Sequence, residues 1–543
     1  MAGSSCDVTI ILPPMWSTGV PWTAPAYIVE ALKARGCRVQ FLDYNIRLYR
    51  LCEKLGYGYL WDDAASYGAW DRGELNYLVH LIDIDEIQGG VIGLSTTGTN
   101  MGCSLALAER IRAELPNRKI IFGGHRVYSC DEVESVPVSA ADAICKGEGE
   151  EVICEVMERG FERLNEIAGL YLPNGNRWRL TQERPVPASL DSLAWPRYEE
   201  IDFDQYGKPY LGLVGSRGCI GRCIFCTERL RLPGYRVRSA NNQVDELEYL
   251  SARFPIEHFP YYDACFNANY RVLTEKANEI IRRGLRVDYS GNLKIRDNMP
   301  DELFPLLRKS GFSVAFIGLE SGSATTLEAM RKGHSPAMAA EFMRKCHNAG
   351  MRIEVNIIVG FPTETETHFQ ETLDFLRENR ANIDAIISLN TFGMGAPDIW
   401  DMRDSFGIVI DNHKDIMHQW HTNTHENTLD VRVRRLSEIL RLIEDLGLRG
   451  ECLISDDYRF KRHSPPDPKT FLQTYAAHVM SLGADEQAGS LAAADRLRRI
   501  ARRQEPTPAQ LVHRTVTSLR DRGLRQTIRR GCEWLQIHSK RHS

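Results

Sequence analysis

A chain of 543 residues with 43% hydrophobic and 26% charged residues has the composition of a globular protein of roughly three or four domains. Its formal net charge of -5 argues against nucleic acid as a partner, and no run of about 18 apolar residues predicts a membrane span. The first residues lack the charged and apolar regions of a secretory signal, so we expect a cytoplasmic protein whose fourteen cysteines form no disulfide framework.

Residues 1–160 alternate β-branched runs with amphipathic ones. DVTIILPP and GGVIGLSTT predict strands, and APAYIVEALKARG has apolar residues at helical spacing. This alternation predicts an α/β fold with a doubly wound, Rossmann- or flavodoxin-like parallel sheet, which binds ligands at the carboxyl ends of its strands. The acidic stretch GEGEE, from 147 to 151, is interpreted as a helix start that the helix dipole favours.

Three further regions follow along the chain. Residues 161–205 are predicted to be a linker with a short hairpin, GLYLPNGNRWRL. Residues 206–400 resume the alternation with six β/α repeats, which predict a partial (β/α)6 TIM-type barrel with its site at the strand ends. Residues 401–543 are predicted to be mainly helical and basic, since 495–543 contain thirteen Lys or Arg and four Asp or Glu. A solvated helical face and a docking surface for an acidic partner both explain that charge.

Three cysteines lie within eight positions in GLVGSRGCIGRCIFCTERL: Cys219, Cys223 and Cys226. Three thiolates suit a cubane iron–sulfur cluster with one open iron, whereas a structural zinc site needs a fourth ligand, for which Cys265 is the nearest later candidate. The Cys-x3-Cys-x2-Cys spacing, with Phe225 before the last cysteine, resembles the signature of radical S-adenosylmethionine (SAM) enzymes.

The resemblance implies that the three thiolates hold a [4Fe–4S] cluster whose fourth iron binds the amino and carboxylate groups of SAM. Four strings at the ends of later predicted strands also resemble the family: YYDACFNAN, SGNLKIRD, IGLESGS and VGFPTET. With Phe225 of the cysteine motif, these strings give the residues that the resemblance implies as SAM contacts. They are Phe225, Asp263, Ser290, Asn292, Arg296, Glu320, Gly360 and Pro362. No catalytic residue is assigned beyond these cofactor contacts.

A doubly wound sheet ahead of such a domain resembles the cobalamin-binding domain of the class B radical SAM enzymes. Cobalamin domains often carry D-x-H-x-x-G, whose histidine binds the lower face of cobalt. This chain has DYNIRL instead, with asparagine in place of histidine, so the resemblance implies cobalamin without that ligand. The implied cobalamin contacts are Asp43, Asn45, Ser95, Thr96, Thr97, Gly123, Gly124 and His125. The alternative is an empty flavodoxin-like domain that serves as a scaffold.

These resemblances together predict a cobalamin-dependent radical SAM C-methyltransferase of specialised metabolism. One SAM molecule would supply a methyl group by way of methylcobalamin. A second would give the 5′-deoxyadenosyl radical, which abstracts hydrogen from an unactivated carbon of a biosynthetic intermediate. The substrate would be a small molecule or a carrier-bound one, and an external flavodoxin or ferredoxin would supply the electron.

Three alternative functions stay open. The first is a cobalamin-binding radical SAM enzyme that oxidises, cyclises or rearranges its substrate without methyl transfer. The second is an RNA methylthiotransferase, which would need a further trio of cysteines in the N-terminal region, where none is obvious. The third is a cobalamin or iron–sulfur sensor, which turnover of SAM would exclude.

Overall fold

The computed structural model describes residues 6–61, 69–70, 72–125, 127, 133–411, 419–448, 466–482, 490 and 492–499. These residues form two compact units, the first from residues up to 76 and from 84 to 448, the second from 77–83 and the described part of 466–499. The basic tail predicted from the sequence lies, from residue 500 onward, outside the described residues. None of the described helices is long and apolar enough to cross a membrane.

The first unit begins with a seven-stranded sheet in the order β2-β1-β3-β4-β5-β6-β7. Its strands are β1 (Val8–Leu12), β2 (Val39–Asp43), β3 (Val91–Thr96), β4 (Lys119–Gly124), β5 (Ala143–Cys145), β6 (Leu170–Asn174) and β7 (Arg177–Leu180). Its helices are α1 (Thr23–Ala34), α2 (Tyr44–Lys54), α3 (Met101–Glu114) and α4 (Glu150–Arg159). The first five strands are parallel in the flavodoxin-like order 2-1-3-4-5, so the predicted doubly wound fold is confirmed.

The hairpin that the sequence placed in a linker belongs to this sheet. Leu170 and Tyr171 pair antiparallel with the end of β5 and are buried, while the Gly175 turn reverses the chain into β7. The sheet therefore runs to Leu180, beyond the expected domain end at 160, because the Leu170 side chain packs into the same core as Ala143 and Cys145 of β5.

The predicted first strand of the barrel, LGLVGSRGC, is replaced by two isolated parallel bridges, from Tyr210 to His258 and from Leu213 to Tyr261. The chain then turns at Gly218, whose φ is +76° and whose added Cβ would lie 2.4 Å from the carbonyl oxygen of Gly234. Two short antiparallel strands flank the cysteines and a single helical turn follows them: β8 (Ser216–Arg217), β9 (Arg236–Val237) and α5 (Glu228–Arg231). A regular strand is lost here because the chain leaves the sheet to form the cysteine loop.

A second sheet follows, with five parallel strands in the order β10-β11-β12-β13-β14. Its strands are β10 (Phe259–Tyr261), β11 (Tyr289–Leu293), β12 (Phe312–Glu320), β13 (Arg352–Val359) and β14 (Ala385–Thr391). One helix precedes β10, α6 (Ala240–Arg253), and five connect the strands: α7 (Tyr270–Arg283), α8 (Leu303–Lys309), α9 (Ala324–Ala329), α10 (Pro336–Asn348) and α11 (Glu366–Glu378). With the bridged segment ahead of β10, the predicted partial barrel is confirmed.

Every second residue of β13, from Ile353 to Val359, is buried against the helices. On the opposite face of the strand, the buried Oδ1 of Asn356 accepts no hydrogen bond within the described part of the chain. The alternation thus places an apolar row on the core face of β13 and puts Arg352, Glu354 and Asn356 on the other face.

A lysine is buried in the barrel between aromatic rings. The Nζ of Lys276 lies 3.9 Å from the ring centroid of Tyr261 and 3.8 Å from that of Phe266, and it donates to Oε1 of Gln243 at 3.2 Å. Burial lowers the pKa of this ammonium group to about 7.

This buried lysine predicts a pH-dependent stability. Between pH 7 and about 10.4 the unfolded chain keeps a proton on Lys276 that the folded chain loses, so the free energy of unfolding rises with pH by up to about 1.4 kcal/mol per unit. Lys276→Met should remove this contribution. Denaturant titrations at pH 7 and 9 measure the free energy of unfolding of the unmodified protein and of Lys276→Met. If this free energy changed equally between the two pH values in both proteins, the prediction would be contradicted.

The chain after the barrel is less helical than predicted. It forms α12 (Pro397–Asp401), an antiparallel hairpin of β15 (Ile408–Ile410) and β16 (Trp420–Thr422), and α13 (Leu429–Asp445). In the second unit, α14 (Pro468–Ser481) packs against the segment 77–83, where the rings of Tyr77 and Phe471 meet edge to face at 5.7 Å.

Candidate functional site

A cavity of about 790 Å³ lies in the first unit, at the carboxyl edge of the N-terminal sheet. The sheet side of its wall includes residues that follow β3, β4 and β5. The other side is built by the segment 214–218 ahead of the cysteines, by α5, and by Tyr262 and Asn292 at the ends of β10 and β11. The two regions that the sequence assigned to separate cofactors thus share one cavity.

The structure brings five of the eight residues expected to contact cobalamin to this cavity. They are Ser95, Thr97, Gly123, Gly124 and His125. Thr96 points away, and its hydroxyl donates to the carbonyl oxygen of Gly123 at 2.9 Å. Gly124 has φ +114°, and an added Cβ would lie 2.4 Å from the carbonyl oxygen of Thr96, so β3 and β4 approach too closely here for a larger residue.

Asp43 and Asn45 are absent from the cavity wall. Asp43 caps α2 by accepting from the backbone N–H of Ile46 at 2.9 Å, and it also accepts from the hydroxyl of Tyr206. Burial raises the pKa of Asp43. These contacts give Asp43 a structural role at the start of α2.

Asn45 supports the cavity from behind. Its Oδ1 accepts from the backbone N–H of Trp16 and from Nε1 of Trp61, both at 2.8 Å, and its Nδ2 donates to the carbonyl oxygen of Ser17 at 3.2 Å. Trp16 and Ser17 line the cavity. The asparagine that replaces histidine in DYNIRL therefore holds Trp16 and Ser17 in the cavity wall and does not itself line the cavity.

Two tryptophans that the sequence analysis missed line the same wall. The rings of Trp16 and Trp22 are stacked with centroids 4.1 Å apart, and the imidazole of His125 lies 6.4 Å from Trp22. Burial lowers the pKa of His125, and the positive charge of Arg231 lowers it further. The signal in the sequence was PPMWSTGVPW, in which two tryptophans follow a pair of prolines directly after β1. The pair gives the cavity a flat apolar surface, the kind of wall that large cofactors contact.

The cysteine loop holds its thiols around Gly221. A Cβ there would lie 3.3 Å from Sγ of Cys219 and 3.7 Å from Sγ of Cys223, and the Gly221 N–H donates to the first sulfur at 3.2 Å. A hydrogen bond from Cys265 lowers the pKa of Cys219 to about 6. Burial raises the pKa of Cys226.

The donor set has the chemistry that an iron–sulfur cluster takes. Cys219, Cys223 and Cys226 supply three soft thiolate ligands from one loop, and each thiolate of a cubane binds a different iron. The residues present therefore fit a three-thiolate [4Fe–4S] site.

Of the eight residues expected to contact SAM, all of them described, only Asn292 lines the cavity. Its Nδ2 donates to the carbonyl oxygen of Asp263 at 2.9 Å. The Asp263 carboxylate accepts from the N–H of Gly215 and from the hydroxyl of Ser216, both at 2.7 Å. Asp263, whose pKa is raised by burial, thus fixes the backbone just before the cysteine loop.

Three other expected SAM contacts are occupied by protein partners. The buried hydroxyl of Ser290 lies 2.7 Å from Nε2 of His258. Arg296 donates to the carbonyl oxygen of Ala268 at 3.1 Å. Glu320, at φ +68°, forms an ion pair of 2.8 Å with Lys332.

Lys332 also connects the barrel to the cysteine motif, because its Nζ lies 5.6 Å from the ring centroid of Phe225. Gly360 and Pro362 are buried in the turn after β13. The hydroxyl of Thr363, the next residue, is also buried and unpaired within the described part of the chain. The Oδ1 of Asn356 is likewise buried without a partner among the described residues.

Comparison with known proteins agrees with this arrangement. Residues 213–376 match the Radical SAM superfamily. The chain is 24% identical over 302 residues to an uncharacterized methyltransferase of Pyrococcus horikoshii. The matched residues cover 54% of this chain and 65% of that protein. It is 29% identical over 273 residues to the anaerobic magnesium-protoporphyrin IX monomethyl ester cyclase of Cereibacter sphaeroides, covering 48% and 44%. The chain thus spans less than two thirds of the length of either relative.

Two solved structures share the fold. One is the radical SAM methyltransferase TsrM from Kitasatospora setae with cobalamin and a [4Fe–4S] cluster bound, with a TM-score of 0.59 and 15% identity over 92% of this chain and 99% of TsrM. The other is the cobalamin-dependent SAM radical enzyme OxsB with aqua-cobalamin and SAM bound, with a TM-score of 0.56 and 16% identity over 98% of this chain and 75% of OxsB.

This chain therefore shares the fold of TsrM and OxsB. Within it, residues 213–376 are a radical SAM domain, and the doubly wound sheet precedes them. The expected resemblance is confirmed.

Proposed function

We propose that the protein is a cobalamin-dependent radical SAM methyltransferase. The observation that carries this proposal is the shared cavity, which opens onto the carboxyl edge of the N-terminal sheet and onto the segment leading into the cysteine loop. A substrate held there would meet both cofactors without leaving the protein. The names of the Pyrococcus horikoshii relative and of TsrM support methyl transfer as the reaction.

In this proposal Cys219, Cys223 and Cys226 hold the [4Fe–4S] cluster, and the sheet edge with His125 faces cobalamin. When bound, the cluster supplies the electron that cleaves SAM, and cobalamin carries the methyl group. The chain positions these groups: Asp263 fixes the backbone ahead of the first cysteine through two hydrogen bonds.

On the sheet side of the cavity, the stacked rings of Trp16 and Trp22 would exclude water. Asn45 holds the segment that carries Trp16. Orientation and desolvation are thus the contributions of the protein, since the cofactors perform the difficult chemistry.

The finer details belong to the same proposal. Two SAM molecules would be used in each cycle, one for the methyl group and one for hydrogen abstraction from an unactivated carbon. The substrate would be a small molecule or a carrier-bound intermediate, and the electron would come from an external donor such as flavodoxin or ferredoxin. A reaction without methyl transfer is the second candidate, and the relationship to a cyclase favours it.

One experiment separates these candidates without knowledge of the substrate. The full chain is reconstituted anaerobically with iron, sulfide and hydroxocobalamin, reduced, and incubated with SAM that carries a deuterated methyl group. We expect 5′-deoxyadenosine to form and the extracted corrinoid to gain the deuterated methyl. Formation of 5′-deoxyadenosine with an unlabelled corrinoid would favour the second candidate, and absence of both products would overturn the proposed enzyme function.

A glycine substitution tests where cobalamin binds. Gly98 lines the cavity just after β3, its φ is not in the left-handed region, and its added Cβ would meet no atom within 4 Å. Gly98→Trp should therefore fill the cavity without straining the fold and lower corrinoid retention at least about tenfold, a change worth 1.4 kcal/mol or more. Iron content should stay unchanged.

The matched control is Gly90→Trp, at the other end of β3, where the nearest atom to an added Cβ is 3.9 Å away. It should retain corrinoid as the unmodified protein does. Equal retention in both variants, measured by mass spectrometry after gel filtration, would place cobalamin elsewhere.

A further inference from the structure

A buried cluster of ion pairs joins the N-terminal sheet to the cysteine loop. Nη1 of Arg217 lies 2.6 Å from Oε2 of Glu148, and the same guanidinium pairs with Glu150. Arg236, from β9, pairs with the other oxygen of Glu148 at 2.5 Å. The two glutamates belong to GEGEE, so this stretch does more than begin a helix.

The positions of these groups connect the two proposed cofactor sites. Glu148 lies between β5 and α4, and Glu150 is the first residue of α4, both at the carboxyl edge of the sheet. Arg217 lies in β8, two residues before Cys219. These three charged residues are among those that line the cavity, so their contact joins the sheet side of its wall to the side that leads into the cysteine loop.

Burial makes the contact specific. The side chains of Arg217, Glu148 and Glu150 are only 10%, 8% and 8% exposed. The guanidinium also lies 5.5 Å from the ring centroid of Tyr27 in α1. Although burial opposes it, hydrogen bonding to Arg236 and the charge of Arg217 hold the pKa of Glu148 below its usual value, so the carboxylate stays ionised.

A planar guanidinium that contacts two carboxylates fixes direction as well as distance, which the point charge of a lysine does not. Buried ion pairs also contribute less to stability than apolar packing of the same volume does, so geometry is the better account of their presence here.

We propose that Arg217 is a positioning residue, and that its fork to Glu148 and Glu150 sets the separation between the cysteine loop and the sheet edge, and so between cluster and cobalt. The identity of the two cofactors rests on the proposed function. The contact between sheet and loop does not depend on it.

The first measurement addresses that contact alone. In the cluster-containing full chain, hydrogen–deuterium exchange is compared for Arg217→Lys, Glu150→Gln and Glu151→Gln. Glu151 is the matched control because it is the next residue, is 41% exposed and pairs with Arg35 inside the N-terminal half. We expect amides of 146–152 and 214–218 to exchange roughly tenfold faster in the first two variants, as the loss of a charge-assisted hydrogen bond implies. Unchanged exchange would overturn the proposal.

The second measurement addresses the cofactor separation. Cob(II)alamin and the singly reduced cluster are both paramagnetic, so reducing the cluster speeds the spin relaxation of nearby cobalt and raises the half-saturation power of its EPR signal. We expect most of that increase to be lost in Arg217→Lys and to be kept in Glu151→Gln. A role in folding alone would lower cofactor content without altering the relaxation of protein that holds both.

The outcomes are distinguishable. Equal relaxation in Arg217→Lys and the unmodified protein, with both cofactors bound, would overturn the positioning role. Failure of the unmodified protein to bind any corrinoid would instead overturn the proposed function, while the exchange measurement would still decide whether the ion pairs hold the loop.

Discussion

Replacing Cys223 by alanine should abolish the iron–sulfur cluster, and replacing Cys265 by alanine should leave it in place. Both sulfurs are close to Cys219: Cys223 through their common contact with the Gly221 position, and Cys265 through a thiol hydrogen bond. Only Cys223 belongs to the three-thiolate motif. A cubane loses an iron ligand in the first variant and none in the second.

Iron and acid-labile sulfide content, the charge-transfer absorption of the reconstituted protein and the yield of 5′-deoxyadenosine measure this difference. In Cys223→Ala the yield should fall below detection. The assignment would be wrong if the cluster absorption survived removal of all three motif cysteines. It would also be wrong if Cys265→Ala lost the cluster as completely as Cys223→Ala, because that result would indicate a four-cysteine site.

Replacing Arg432 by methionine should lower the free energy of unfolding by about 3–5 kcal/mol, because this arginine is fully buried in the segment after the barrel. Its Nη2 donates to the carbonyl oxygen of Trp420 at 2.9 Å and its Nη1 to Oδ1 of Asn427 at 3.2 Å. The guanidinium also lies 3.8 Å from the Trp420 ring centroid. Methionine fills much of the volume but leaves both acceptors without a charged donor.

The control lies two residues along α13. Arg434 is 49% exposed and pairs with Glu366 and Glu438 at the surface, so Arg434→Met should cost less than about 1 kcal/mol. Denaturant titration of both variants against the unmodified protein measures the difference. Equal losses in the two variants would show that burial of Arg432 does not have the effect argued here.

Arg432 also supports the turn after β13. The Nδ2 of Asn427, which Arg432 contacts, donates to the carbonyl oxygens of Gly360 and Phe361 at 2.9 and 2.8 Å. Gly360 has φ +78°, and a Cβ there would lie 2.3 Å from Cγ of Arg432. If this turn faces the adenine of SAM, as the family resemblance implies, Arg432→Met should also weaken SAM binding.

Much of the architecture follows from the sequence because periodicity is a local property. Alternating strands and helices predicted both parallel sheets, and the spacing of Cys219, Cys223 and Cys226 predicted the kind of metal site. The order of strands in space is not local. β2 lies at the edge of its sheet, so the DYNIRL motif that follows it lies away from the cavity reached by β3 and β4.

Long-range polar contacts could not be predicted from the sequence either. Glu150 and Arg217 are 67 residues apart in the chain, and nothing in either neighbourhood indicates that they meet. The same holds for Asn45 and the backbone of Trp16, 29 residues apart. Loops that leave a regular pattern were also missed, as at the bridged segment before Gly218.

The hairpin of β6 and β7 has a practical consequence for dividing the protein. A fragment cut at residue 160 would bare the backbone of β5, a short and wholly apolar strand whose free edge invites pairing with other molecules. A fragment that continues past Leu180 ends the sheet on β7 instead, where Arg177 and Arg179 face solvent and repel a second copy. Fragments of the N-terminal half intended for corrinoid titration should therefore extend beyond Leu180.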